Sequence, residues 1–291
     1  MAAATTSDED ATTTASPTAP TAPVEDAPSP GGASRGATAR ARLAASFGRG
    51  DGSATPLPYL GTLVALVQAS HPRQLVLTAG GVALAAFLAG RPLGEVALVL
   101  ATVAVGQAVL GWHNDIVDAE DDARAGRPGK PLATGRLDVP TAWFAVAVGA
   151  LALVPLAVAN GYLAAVAYAL SVAVGLVGNV VLRGGPLSWL PWAVAYALYP
   201  AYLSFGGLGG QHEGEAPTWA LVALSAVLGV CVHVLRALPG LVQDNRDRRR
   251  HLPLRLAVRT GAPRLLVLTM VATAVVVGGL AAVGATLGLT A

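Results

Sequence analysis

The stretch Asn114-Asp115-Ile116-Val117-Asp118-Ala119-Glu120-Asp121-Asp122 is a cluster of acids at the end of a long apolar run, in a chain that otherwise has few charges. Asp115, Asp118 and Asp122 are separated by three and then four residues, so a helix would place their carboxylates on one face within about two turns. Hard cations such as Mg²⁺ prefer oxygen ligands and bridge carboxylates to substrate phosphates. The stretch therefore predicts a magnesium site, with a solvated helix end at a membrane boundary as the alternative.

The composition around this stretch is that of a membrane protein. Of the 291 residues, 54% are hydrophobic and 12% are charged, and the mean hydropathy is +0.57. Apolar runs of about 20 residues are typical of membrane-spanning helices. The formal net charge of +2 says little about partners, and no nucleic acid is expected. The single cysteine, Cys231, excludes a disulfide within the chain.

The apolar runs predict an all-α fold, a polytopic bundle of about seven membrane helices. They lie at residues 74–90, 93–113, 139–159, 162–182, 187–205, 217–238 and 265–287. Residues 57–70 either lie along the interface or extend the first helix. Residues 1–53 are rich in Ala, Thr, Ser, Pro and Gly and have few large apolar side chains, which predicts a disordered tail. The membrane-embedded domain is therefore expected at residues 54–291.

The basic residues predict the orientation. They concentrate in alternate loops, namely the tail, residues 123–138, Arg183 and residues 246–264, whereas the opposite loops have little beyond Arg91 and two glutamates. Loops rich in Lys and Arg stay on the cytoplasmic side. We therefore expect an integral protein of the plasma membrane, with its N-terminus and the acidic stretch facing the cytoplasm.

A second charged segment, Gln243-Asp244-Asn245-Arg246-Asp247-Arg248-Arg249-Arg250, falls on the same predicted side. Carboxylates that bind a metal, together with Arg and Lys that bind phosphate oxygens, indicate a diphosphate site. Such a site neutralises the charge that builds up on a departing diphosphate when an allylic ester ionises. The apolar bundle would hold an isoprenoid chain.

These residues resemble a known family. Asn114-Asp115-x-x-Asp118-x-x-x-Asp122, followed by Gly126-Arg127-x-x-Lys130-Pro131-Leu132, is similar to the first aspartate motif of the UbiA superfamily of intramembrane prenyltransferases. Leu238-Pro239-Gly240-x-x-x-Asp244, followed by His251-Leu252-Pro253-Leu254-Arg255, resembles the second motif. The resemblance covers residues 71–261. It implies Mg²⁺-dependent transfer of a prenyl group from a prenyl diphosphate to an aromatic or quinone-type acceptor in the lipid bilayer.

The motifs and their spacing assign candidate roles. The expected catalytic residues are Asp115, Asp118, Asp122 and Asp244. The expected metal ligands are these four with Asn114 and Asp247, and the expected diphosphate-binding residues are Arg73, Arg127, Lys130 and Arg183. Glu120 and Asp121 are expected to be solvated, and Arg248–Arg250 are interpreted as an anchor to anionic lipid.

The chain also departs from the family pattern. Gly240 stands where the second motif usually has its first Asp, and Asp247 is a possible substitute one turn further on. Gly178 and Arg183 stand where the family has a Tyr and a Lys near the end of the fourth helix, and the family usually has nine membrane helices. A weak or inactive, lipid-binding member is therefore an alternative.

Two other classes of membrane protein fit less well. A CDP-alcohol phosphotransferase would require glycines placed among the acids, and none precedes Asp118 in that way. A transporter usually has ionisable groups near mid-membrane, whereas the acids here gather at one predicted face.

Overall fold

The computed structural model describes residues 58–211 and 213–287, and this part of the chain is helical without a β-strand. The helices are α1 (Pro58–Ala69), α2 (Pro72–Leu88), α3 (Leu93–Arg124), α4 (Val139–Ala159), α5 (Tyr162–Val177), α6 (Leu190–Ala197), α7 (Tyr199–Ser204), α8 (Trp219–Ala237), α9 (Leu241–Arg246), α10 (Leu252–Thr260) and α11 (Ala262–Leu287). The tail predicted at residues 1–53 lies outside the described residues.

Within the described residues, five helical segments are long and apolar enough to cross a membrane. They are Leu93–Arg124, Val139–Ala159, Tyr162–Leu182, Trp219–Arg246 and Ala262–Thr286. The predicted all-α, polytopic membrane fold is confirmed. The other two predicted spans are shorter than expected: α2 has 17 residues, and the apolar run at residues 187–205 is divided into α6 and α7.

Proline explains that division. Pro200 has no N–H to donate to the carbonyl four residues earlier, so the helix breaks between α6 and α7. The short helix α6 packs closely on α8, because Gly229 lets the two backbones touch. A Cβ at Gly229 would lie 2.3 Å from the carbonyl oxygen of Trp192. Such contacts at small residues are typical of membrane helices.

Several polar groups within the apolar core have hydrogen-bond partners, although the buried hydroxyl of Tyr202 has none among the described residues. Tyr168 is fully buried, and its hydroxyl donates to the carbonyl of Val103 at 3.1 Å. The buried amide of Asn160 donates to the hydroxyl of Thr102 at 3.0 Å. Since unpaired polar groups are costly in an apolar surrounding, these bonds stabilise the packing of α3 with α4 and α5.

Three features bring the predicted site residues to one end of the bundle. The long helix α3 has 32 residues and continues beyond its apolar part into the acidic stretch. The loop that follows folds back onto it, because Leu132 and the buried Leu137 pack in one cluster with Ile116. The turn between α1 and α2, where His71 has a left-handed φ of 55°, places the His71 ring beside the same helix.

Candidate active site

The three predicted metal-binding carboxylates of the first acidic stretch, Asp115, Asp118 and Asp122, do not share one basic partner. Asp115 and Asp122, which are 2% and 3% exposed, lie 2.5 Å and 3.7 Å from the Lys130 ammonium. Asp118 instead forms an ion pair with Arg183. Helix geometry explains this division, because residues seven apart point about 20° from each other and residues three apart about 60°. The carboxylates therefore share one broad face but lie in two separate clusters.

The first of these, the Lys130 cluster, consists of His71, Asp115, Asp122, Arg127 and Lys130. His71 Nε2 lies 3.0 Å from Asp115 Oδ1, and Arg127 Nη1 lies 3.1 Å from Asp122 Oδ1. Burial lowers the pKa of His71, although its hydrogen bond to Asp115 acts in the opposite direction. The second oxygen of Asp115, Oδ2, is buried and has no hydrogen-bond partner among the described residues. Buried carboxylate oxygens are rarely left in this state.

The second, the Arg183 cluster, consists of Asn114, Asp118, Asp121, Arg183 and Arg249. The guanidinium of Arg183 contacts Asp118 and lies 3.3 Å from Asp121. Arg249 donates to the same Asp121 oxygen at 3.1 Å, and Asn114 donates to Asp118 at 3.0 Å. Burial and the nearby charge of Arg249 lower the pKa of Arg183. This cluster joins the two charged segments, which are far apart in the sequence.

The second acidic segment contributes Asp244, which is 8% exposed. His251 Nε2 lies 3.0 Å from Asp244 Oδ2, and His251 Nδ1 accepts a hydrogen bond from the backbone N–H of Leu254 at 3.2 Å. Because Nδ1 is an acceptor, Nε2 carries the proton and donates it to the carboxylate. His251 therefore caps α10 and orients Asp244, a role that the sequence did not reveal.

A cavity of about 230 Å³ extends from the Arg183 cluster and Asp244 into the bundle. Of the Lys130 cluster, His71 lines this cavity, whereas Asp115, Asp122, Arg127 and Lys130 do not. Its charged end is lined by Asn114, Asp118, Arg183, Asp244, Arg249 and His251. The same cavity is also lined by Gln74, Gln107, Ser171, Trp192, Tyr196, Tyr199, His233 and Arg236. Many of these side chains are polar, whereas the sequence predicted an apolar bundle around an isoprenoid chain.

Some candidate residues lie elsewhere. Arg73 is exposed and makes no ion pair or hydrogen bond with the described residues, and Asp247 is exposed and accepts from Gln243 at 2.9 Å. Neither lines the cavity. Conversely, Arg249 lines the cavity rather than acting only as a lipid anchor, and Asp121 is held between arginines rather than solvated. The pairing of these two residues carried no local sequence signal.

The acidic side chains supply the oxygen ligands that Mg²⁺ prefers, but they do not converge on a single metal position. Across residues 58–211 and 213–287, no three acidic, histidine or cysteine side chains converge closely enough to hold a metal ion. Asp115, Asp118 and Asp122 each pair with a basic residue instead. The oxygen donors still fit Mg²⁺, because Asp115 Oδ2 has no hydrogen-bond partner in the described part of the chain and Asp118 lines the cavity.

The two glycines that depart from the family pattern differ in the space around them. At Gly240 a Cβ would lie 3.3 Å from Asp244 Oδ2, the end of a flexible side chain, and φ is −94°. A side chain is therefore tolerated there after a small shift. At Gly178, which begins one turn of π-helix, a Cβ would lie 2.5 Å from Cβ of Pro191. The packing of α6 against this turn leaves no room for a tyrosine.

Comparisons with known proteins agree with this architecture. A model of the UbiA prenyltransferase family matches residues 74–291. The structure of a UbiA homologue from Archaeoglobus fulgidus bound to DMAPP and Mg²⁺ is similar, with 20% identity and a TM-score of 0.56 over 74% of this chain and 75% of that chain. The apo structure of a UbiA homologue from Aeropyrum pernix K1 has the same identity and TM-score over 73% and 80%. No curated protein matches the sequence.

Proposed function

The chain belongs to the UbiA prenyltransferase family, and we propose that it transfers a prenyl group from a prenyl diphosphate to a small acceptor within the membrane. In this reaction the bond between the first prenyl carbon and the diphosphate oxygen breaks, and its electron pair leaves with the diphosphate. The prenyl carbon then bonds to the acceptor, which loses one proton to water. Family membership supports prenyl transfer in general, and the acceptor class is our proposal.

The observation that carries this proposal is the meeting of two charged segments at one end of the cavity. Arg249 follows the second aspartate motif and donates to Asp121 of the first at 3.1 Å, while Asp118 and Asp244 both line the cavity. Carboxylates beside guanidinium groups provide both metal ligands and phosphate donors. A diphosphate bound there would have its prenyl group directed into the bundle.

The residues of the charged end have separate tasks in this proposal. Those that would hold Mg²⁺ are Asn114, Asp115, Asp118, Asp122 and Asp244. Those that would bind phosphate oxygens are Arg127, Lys130, Arg183 and Arg249. The chemistry that Mg²⁺ supplies when bound is neutralisation of charge on the departing diphosphate. We assign no role to Arg73 or Asp247, because both are exposed and outside the cavity.

The support for magnesium includes the Archaeoglobus fulgidus homologue, which binds DMAPP and Mg²⁺. Basic residues that now pair with carboxylates would turn towards phosphate once a metal neutralises the acids. The protein is an integral membrane protein, and the concentration of Lys and Arg in alternate loops supports a site that faces the cytoplasm at the plasma membrane.

A second candidate function is lipid binding without efficient transfer. It is favoured by Gly240, which has no side chain to supply a second carboxylate. Among the described residues of the second motif, Asp244 is then the one buried carboxylate, and it is hydrogen-bonded to His251. The two functions differ in the fate of a bound diphosphate, because only an active enzyme releases pyrophosphate.

The test uses membranes that contain the full chain, labelled dimethylallyl diphosphate and longer donors, and a panel of phenolic and quinol acceptors. We expect labelled lipid product and pyrophosphate with Mg²⁺ and neither after EDTA. Asp118→Asn should remove the product, since Asp118 lines the cavity. Glu120→Gln is the matched control, because Glu120 is an exposed acid on the same helix. Equal product from Asp118→Asn and the parent protein would contradict the proposal.

A further inference from the structure

A surface groove of about 290 Å³ lies between α9, α10 and the start of α11. Its lining residues include Leu241, Val242 and Arg246 of α9, Leu254 and Val258 of α10, and Ala262 of α11. None of the described residues that line it also lines the cavity of the candidate active site. The groove is therefore a separate feature, with a mainly apolar wall that contains one arginine.

The apolar wall of the groove is exposed at the edge of the membrane. Val242 and Val258 are 70% and 73% exposed. Ala262, which also lines the groove, begins the segment Ala262–Thr286, and that segment is long and apolar enough to cross a membrane. The groove therefore lies where α11 enters the bilayer. Apolar side chains of short helices at this depth are covered by the upper part of lipid acyl chains.

The segment that forms the groove has a large excess of positive charge. Residues 246–264 include seven arginines and one acid, Asp247. Arg249 lies beside Asp121 and Asp244, whereas the other six arginines form no ion pair with the described residues. One of these six, Arg246, is exposed and lines the groove. Arginine clusters next to a membrane helix attract anionic lipids, so the charge favours an anionic occupant.

The helices that form the groove also position the second charged segment. Val242 and Arg246 of α9 line the groove, while Asp244 of the same helix lines the cavity and is hydrogen-bonded to His251. His251 in turn caps α10 through the backbone N–H of Leu254. A ligand in the groove contacts both short helices at once, and it would therefore stabilise the part of the chain that positions Asp244.

We propose that this groove binds one anionic phospholipid, with an acyl chain along Val242 and Val258 and the phosphate at Arg246. The guanidinium fork of an arginine donates two parallel hydrogen bonds to phosphate oxygens. Free phosphate matches the arginine but not the apolar wall, and a zwitterionic lipid brings a second cation into a segment that is already basic. The inference goes beyond the proposed prenyl transfer and does not depend on it.

The experiment measures binding of dioctanoyl phosphatidylglycerol and dioctanoyl phosphatidylcholine to the purified full chain in detergent, by native mass spectrometry. The two lipids have the same acyl chains and differ in head-group charge. We expect phosphatidylglycerol to bind about tenfold more tightly, as for a charge-assisted hydrogen bond. Arg246→Gln should remove most of this preference, and Val258→Gln should weaken the binding of both lipids. Arg73→Gln is the matched control, because it removes the same charge from an exposed position outside the groove.

Three results would overturn the inference. The first is an equal affinity for the two lipids. The second is an equal loss of phosphatidylglycerol binding in Arg246→Gln and Arg73→Gln, which would indicate a general attraction to the basic surface. The third is displacement of phosphatidylglycerol by inorganic phosphate at the same concentration, which would assign Arg246 to a free anion. The samples contain no donor, acceptor or Mg²⁺, so an absence of prenyl transfer would count against the proposed function alone.

Discussion

Asp115→Asn gives the sharpest test of the proposal that Asp115 binds Mg²⁺, because it removes one charge and changes the shape of the side chain little. The Asp115 side chain is 1% exposed and lies 2.5 Å from Lys130. Removal of one partner from a fully buried ion pair costs about 3–5 kcal/mol. Lys130 is 20% exposed and keeps Asp122 at 3.7 Å, so we expect a smaller loss, about 2 kcal/mol.

The same substitution should weaken Mg²⁺ binding, and this effect separates a ligand from a purely structural acid. At a Mg²⁺ concentration about 100 times its Kd, binding stabilises the folded protein by about 2.7 kcal/mol. For a domain of this size that corresponds to a rise in Tm of about 5–11 °C. If Asp115→Asn weakens binding about 100-fold, the stabilisation falls to about 0.4 kcal/mol, or about 1 °C.

The assay is thermal unfolding of the detergent-solubilised full chain with pyrophosphate, across a Mg²⁺ titration. The expected result is a lower Tm in Asp115→Asn without Mg²⁺ and almost no further rise with it. Glu120→Gln should follow the parent protein in both respects, since Glu120 is exposed. If Asp115→Asn has a lower Tm but the same Mg²⁺-dependent rise as the parent, Asp115 is structural and the metal assignment is wrong.

Two further substitutions test the departures from the family pattern. Gly240→Asp should fold, because φ is −94° and the nearest contact is the flexible carboxylate of Asp244 at 3.3 Å. An added ligand should lower the Mg²⁺ concentration needed for half-maximal transfer about tenfold. Gly240→Ala is the control, and a Mg²⁺ titration that is the same in Gly240→Asp and in the parent protein would refute this. Gly178→Ala should lower the free energy of unfolding by about 1–3 kcal/mol, because its Cβ would lie 2.5 Å from Pro191. Gly184→Ala is the control, because no described atom would lie within 4 Å of its Cβ. Equal Tm values for the two variants would contradict the prediction.

The features that the sequence predicted correctly are local ones. The apolar runs identified the five long membrane helices, and the spacing of the acids placed Asp115 and Asp122 together, because both features depend on residues within one helix. The break at Pro200 departs from the single span predicted at residues 187–205, although a proline inside an apolar run favours such a break. The metal ligands themselves remain predictions.

By itself the sequence determined the all-helical membrane fold, the family, and the two charged segments that approach each other. Only the tertiary structure decided that Asp121 pairs with Arg249 and that His251 orients Asp244. The physical reason is that hydropathy and helical period act along the chain. The partner of a charge, in contrast, depends on which helices pack together, and Asp121 and Arg249 are separated by 128 positions.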